Sequence, residues 1–219
     1  LNYDNISESK YLCPVKIVII DYQMGNIHSV ARKLNILGVE HVITNNPEII
    51  TQADKLILPG VGHFAKAMQQ LSESNLISVL NDVVLNQKKP ILGICLGMQL
   101  LAKFSEEGNV NGLGWIDGQV ARFQVKDKLR FKIPHTGWNQ IQICKENSMN
   151  IGLTNESEFY FVHAYYFQAN EESDVLHKST YEQNFVSAVQ KDNIVGVQYH
   201  PEKSHDVGLQ LIKNFVFEF

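Results

Sequence analysis

The feature that most constrains the fold is an alternation, through the first hundred residues, between short apolar runs and segments of helical periodicity. Ile17-Val18-Ile19-Ile20, His41-Val42-Ile43-Thr44, Leu56-Ile57-Leu58 and Ile91-Leu92-Gly93-Ile94 are too short for helices and rich in strand-forming residues. Between them, Val30, Leu34 and Leu37 recur at helical spacing, and residues 64–71 and 76–85 read as further helices. A strand that is apolar throughout must be covered on both faces, and intervening helices supply that cover when the strands run parallel. The expected class is therefore α/β, a three-layer sandwich around a mostly parallel central sheet.

After Glu107 the texture changes. Gly108, Gly112, Gly114 and Gly118 mark turns, and residues 120–123, 140–143 and 159–162 read as strands, partly antiparallel. Residues 185–189 and 194–198 form a strand pair around Lys191-Asp192-Asn193, and a last helix carries Leu211, Ile212, Phe215 and Phe219 on one side. No repeat or linker divides the chain. Residues 15–219 are expected to form one domain with an antiparallel extension, and residues 1–14 a flexible lead-in.

The 219 residues suffice for a full core in a single domain. A net charge of -4 argues against nucleic-acid and anionic-membrane partners. Cys13, Cys95 and Cys144 have neither disulfide-framework nor metal-ligand spacing, so a reducing compartment is expected. Residues 1–14 are polar, without the basic start and apolar run of a signal peptide, and no run approaches a membrane span. The expectation is a soluble cytoplasmic protein.

The sharpest local signal is Gly93-Ile94-Cys95-Leu96-Gly97, between a buried strand and a helix. A nucleophile on a cramped strand-to-helix turn needs flanking residues without side chains, and free N–H groups at the helix start support a thiolate. A buried structural cysteine beside two turn glycines is the plainer reading. A cysteine nucleophile needs a base, and the base an orienting group. His200-Pro201-Glu202 follows an apolar strand at the carboxyl end, where open α/β sheets place their sites. In an extended segment His200 and Glu202 would face one side, with Glu202 fixing the imidazole tautomer. Pro59-Gly60-Val61-Gly62 ends another strand, and its exposed N–H groups, with that of Leu96, suit an oxyanion hole. A plain glycine turn would read the same way.

Together these segments resemble the class I, or triad, glutamine amidotransferases, and within them the glutaminase subunits of imidazole glycerol phosphate synthase. The resemblance is carried by Asp21-Tyr22-Gln23-Met24-Gly25-Asn26, Pro59-Gly60-Val61-Gly62 and Gly93-Ile94-Cys95-Leu96-Gly97-Met98-Gln99. Pro134-His135-Thr136-Gly137-Trp138-Asn139, Phe161-Val162-His163-Ala164-Tyr165-Tyr166 and Gln198-Tyr199-His200-Pro201-Glu202-Lys203-Ser204 complete it. It implies Cys95 as nucleophile, His200 as general acid and base, and Glu202 as orienting carboxylate. It implies an oxyanion hole at Gly60, Val61 and Leu96, and a glutamine site lined by Gly62, Gln99, Glu107, Ala164 and Tyr165. Gln99 and Glu107 also read as ordinary solvated helix residues.

No cofactor or metal is implied. The ammonia would pass to a cyclase subunit with a (β/α)₈ barrel, making imidazole glycerol phosphate and an aminoimidazole carboxamide ribonucleotide. The phosphorylated substrate belongs to that partner, because this chain lacks a phosphate-cradling Gly-Lys motif. Gln23, Thr136 and Ala164 depart from the family's usual glycine, methionine and serine or threonine. They leave room for a paralogue serving surface-sugar amidation. One rival is a stand-alone cysteine hydrolase on the same sheet; another is a non-catalytic binding subunit that keeps only the fold, against which the intact set of Cys95, His200 and Glu202 argues.

Overall fold

The computed structural model describes residues 15–219, and the lead-in expected at residues 1–14 lies outside them. In chain order the elements are β1 (Ile17–Ile20), α1 (Ile27–Ile36), β2 (His41–Thr44), α2 (Pro47–Thr51), β3 (Lys55–Gly60), α3 (Phe64–Glu73), α4 (Leu76–Asn81), β4 (Ile91–Cys95) and α5 (Leu96–Gln99). There follow β5 (Phe104–Ser105), β6 (Val110–Asn111), β7 (Gly118–Arg122), β8 (His135–Gln140), β9 (Gln142–Ile143) and β10 (Glu158–His163). The chain continues through β11 (Tyr165–Ala169), β12 (Val175–Tyr181), β13 (Gln183–Lys191), β14 (Ile194–Val197) and α6 (His205–Phe217).

The central sheet runs β2-β1-β3-β4-β14-β13-β11-β7-β5-β6. From β2 to β14 every pairing is parallel. At β13 the direction reverses, and the pairings β14–β13, β13–β11 and β11–β7 are antiparallel. β12 pairs with β13 and β9 off this path, while β8 and β10 form a separate antiparallel ribbon.

The alternation of side chains along each parallel strand builds two cores. Ile17 and Ile19 of β1 pack with Val30 and Leu34 of α1 and with Leu211, Ile212 and Phe215 of α6. Val18 and Ile20 pack on the other face, with Ile50, Phe64, Leu71, Leu76 and Leu80 from α2, α3 and α4. Strand and helices therefore make the three layers that the apolar runs demanded.

Two helical expectations change. The helix read over 76–85 ends at Asn81, and Asp82–Asn86 forms a π-helical turn. The Asp82 carboxylate holds that wider turn, accepting from the side chains of Asn86 at 2.9 Å and Gln87 at 2.7 Å. The last helix stops at Phe217, and Phe219 packs against the core from beyond it.

What matters for the site is that β3, β4 and β14 are sheet neighbours. Gly60 is in register with Cys95, and Val197 with Ile94. Three motifs far apart in sequence thus meet at the carboxyl edge of three adjacent parallel strands.

Candidate active site

Cys95 ends β4 and immediately precedes α5, with φ 54 and ψ -108, a strained backbone for a residue bearing a Cβ. The turn leaves no room beside it. A Cβ on Gly97 would lie 1.8 Å from the Leu58 carbonyl oxygen, and one on Gly93 2.7 Å from the Gly97 carbonyl oxygen. The helix behind the thiol is a single turn, Leu96–Gln99. The side-chain donor that reaches Cys95 Sγ is Gln198 Nε2, at 3.6 Å.

His200 follows β14, and its Nδ1 lies 2.8 Å from Glu202 Oε1. A carboxylate accepts, so Nδ1 carries the proton and Nε2 is left for the reaction. Among the described residues Nε2 is buried without a hydrogen-bond partner, and His200 and Cys95 line the same cavity. Burial lowers the pKa of His200, but the charge of Cys95 beside it, with the hydrogen bond and charge of Glu202, outweighs it, raising the pKa to about 10. A protonated imidazole is the half of a catalytic cysteine–histidine pair that favours ionisation of a neighbouring thiol.

Glu202 reaches His200 by a different route from the extended segment expected. Pro201–Lys203 is a 3-10 turn that folds the carboxylate back. Ser204 secures that turn, donating from Oγ to the His200 carbonyl oxygen at 2.6 Å and accepting from Tyr160 N at 3.0 Å.

Gly60 is fixed by its neighbours. Its φ lies outside the left-handed region, but a Cβ would meet Tyr22 Oη at 2.4 Å and Leu96 Cβ at 2.9 Å. Close packing, rather than a positive φ, demands glycine there. Tyr22 Oη is buried and, among the described residues, without a hydrogen-bond partner, and burial followed by the charge of Cys95 raises its pKa above the ordinary tyrosine range.

A cavity of about 320 Å³ brings the predicted residues together. Cys95, His200, Val61, Leu96, Gly62, Gln99, Glu107, Ala164 and Tyr165 all line it, and Gly60 and Glu202 stand behind that lining. Gln99 is buried, its Nε2 donating to the Tyr165 carbonyl oxygen at 3.1 Å and to Gln198 Oε1 at 3.0 Å. Glu107 lies on the turn between β5 and β6, where Oε2 accepts from Phe64 N at 2.8 Å at the start of α3. Neither is an ordinary solvated helix residue.

Sequence reasoning assigned no role to Pro134, Val162 and His163, which complete the wall, or to Gln198. All four lie in segments that carried the resemblance; their side chains gave no further signal. His163 Nδ1 donates to the Tyr165 carbonyl oxygen at 2.7 Å, and its Nε2 lies 3.2 Å from His135 Nδ1. Burial pushes His163 down to about 3 and His135 down to about 4, so both are neutral imidazoles. Trp138 is 46% exposed and stacks on His205 with ring centres 5.0 Å apart. Among the described residues, no three His, Cys, Asp or Glu side chains are grouped to hold a metal ion, and no helix is long and apolar enough to cross a membrane.

A nucleophile elbow, a carboxylate-backed histidine and a glycine loop on adjacent parallel strands define a family. The chain belongs to the class I glutamine amidotransferases, whose family model matches residues 18–219. It is 48% identical to imidazole glycerol phosphate synthase subunit HisH 2 of Methanococcus maripaludis, over 91% of this chain and 98% of that one. The subunit HisH 2 of Pseudomonas aeruginosa matches at the same identity, over 91% and 98% of the two chains. In fold it is similar to a crystal structure of a glutamine amidotransferase, with TM-score 0.70, 19% identity, and 90% and 98% of the chains covered.

Proposed function

We propose that this chain is the glutamine-hydrolysing subunit of an imidazole glycerol phosphate synthase in histidine biosynthesis, with Cys95, His200 and Glu202 carrying the hydrolysis. The observation that supports the site most directly is the shared cavity. It places Cys95 beside a His200 whose Nδ1 is held by Glu202 at 2.8 Å. The names and near-complete overlap of the HisH relatives support the pathway.

The Cys95 thiolate attacks the carboxamide carbon of glutamine, and the carbonyl oxygen takes up the charge. N–H groups of the Gly60–Val61 peptide and of Leu96 stabilise that oxyanion. His200 gives its proton to the leaving nitrogen, the C–N bond breaks, and ammonia departs, leaving a thioester on Cys95. A water, deprotonated by His200, attacks the thioester and releases glutamate and the thiolate. The sum is glutamine plus water to glutamate plus ammonia. Glu107, Gln99, Gly62, Ala164 and Tyr165 hold the amino-acid end of the substrate.

The ammonia is consumed by a cyclase subunit, a (β/α)₈ barrel, that docks on this chain. Trp138 is the aromatic anchor we assign to that contact, because it is large, exposed and held flat against His205.

The test is labelling with a glutamine-analogue electrophile, followed by mapping of the modified peptide. Modification of Cys95, blocked by glutamine, is expected. Modification at Cys13 or Cys144 with Cys95 untouched overturns the assignment.

A further inference from the structure

Gln198 is wholly buried just past the end of β14, two residues before His200, and it touches the sulfur of Cys95. Which end of its carboxamide faces that sulfur follows from hydrogen-bond logic. The Tyr165 carbonyl oxygen can only accept. His163 Nδ1 at 2.7 Å and Gln99 Nε2 at 3.1 Å both donate to it, which sets the Gln99 amide with its nitrogen toward Tyr165. That same nitrogen lies 3.0 Å from the Gln198 side chain, and only the oxygen of Gln198 satisfies it. The Gln198 Nε2 is left facing Cys95 Sγ at 3.6 Å. One backbone carbonyl thus dictates the orientation of two amides and ends at the nucleophile.

We propose that Gln198 is a further catalytic residue, donating an N–H to the Cys95 thiolate, and that Gln99 is the positioning residue that keeps its amide from turning round. The proposal rests on the reading of Cys95 as nucleophile. A donor bonded to a charged acceptor stabilises it more than the neutral form, so the N–H favours thiolate over thiol. The short α5 makes the contribution needed, since a single turn of helix backs the sulfur. The titratable groups that act on Cys95 besides are His200, backed by Glu202, and Tyr22; His163 and Glu107 line the same cavity. Tyr22 keeps its hydroxyl proton but is not within hydrogen-bond reach of the sulfur, and the others are charged or are bonded elsewhere. Gln198 supplies a fixed neutral donor at every pH.

The experiment is the pH profile of Cys95 alkylation by iodoacetamide, followed on the Cys95 peptide so that other thiols do not contribute. Alkylation requires the thiolate but neither glutamine nor an oxyanion hole. Gln198→Met removes the donor while keeping length and volume, and Gln99→Met leaves Gln198 in place but releases its amide. In Gln198→Met the acid limb moves to higher pH, the rate on that limb falls about three- to tenfold, and the profiles meet on the plateau. Gln99→Met shows a smaller shift in the same direction. A Gln198→Met protein that melts like wild type and has the wild-type profile overturns the proposal. If Gln198→Met does not fold, an unchanged profile in Gln99→Met overturns it. Failure of the underlying reading is seen separately, as a wild-type Cys95 that a glutamine analogue does not label.

Discussion

Glu202 keeps both carboxyl oxygens inside the protein, yet among the described residues only Oε1 has a partner, the Nδ1 of His200. In the role proposed for it, Glu202 fixes the tautomer of His200 and stabilises its charged form. Glu202→Gln keeps an acceptor and loses the charge. Turnover should fall, but by on the order of tenfold to a hundredfold less than in Cys95→Ala, with glutamine affinity little changed. Steady-state glutamate release from both variants checks this, and equal losses, or a harmless Glu202→Gln, would contradict the role. The pairing of His200 with Glu202 was legible in the sequence, although through the wrong geometry. Spacing alone reports that two residues are near; it does not distinguish an extended segment from the 3-10 turn that Ser204 secures. Gln198 was not legible at all as a functional residue, because a glutamine at the end of an apolar strand gives no sign of what its amide meets.

At the scale of elements, the strand-to-helix turn at Cys95 is where the fold has least tolerance. Its glycines divide into two physical kinds when set beside those elsewhere in the chain. Gly97 is demanded by contact, with a Cβ at 1.8 Å from a backbone oxygen that cannot move without breaking β3. Gly38, at φ +68 with open space around it, is demanded only by its backbone angle. Gly38→Ala should therefore cost about 1 kcal/mol, and Gly97→Ala at least about 3 kcal/mol. Urea denaturation of the two variants measures the difference; a Gly97→Ala protein no less stable than Gly38→Ala would contradict the packing argument. The parallel strands were legible because burial on both faces makes them apolar at every position, as in β1 and β4. β11 and β12 were not, since Gln168, His177, Lys178 and Ser179 interrupt them, and the partners of β11 are distant in sequence. Asp82–Asn86 read as helix because a π turn and an α turn share the same local residue preferences.

At the scale of the whole molecule, the proposal that this chain is one subunit of a synthase bears on its activity. The loop from Pro59 to Gly62 lies against Tyr22 and Met24, which belong to the segment between β1 and α1. A partner that bears on that segment therefore acts next to the peptide proposed to carry an oxyanion donor. Rotation of the Gly60–Val61 peptide switches it between offering a carbonyl and offering an N–H, and a missing donor costs on the order of 10²–10³ in rate. Glutaminase activity is accordingly expected to be low in the isolated chain, because an enzyme that releases ammonia to solvent wastes glutamine. The decisive measurement is glutamate release by the chain alone, with the cyclase subunit, and with cyclase and its ligand, for wild type and Cys95→Ala. The account predicts a low rate alone, a large rise with liganded cyclase, and no release from Cys95→Ala under any condition; release that ignores the partner and survives the loss of Cys95 would contradict it.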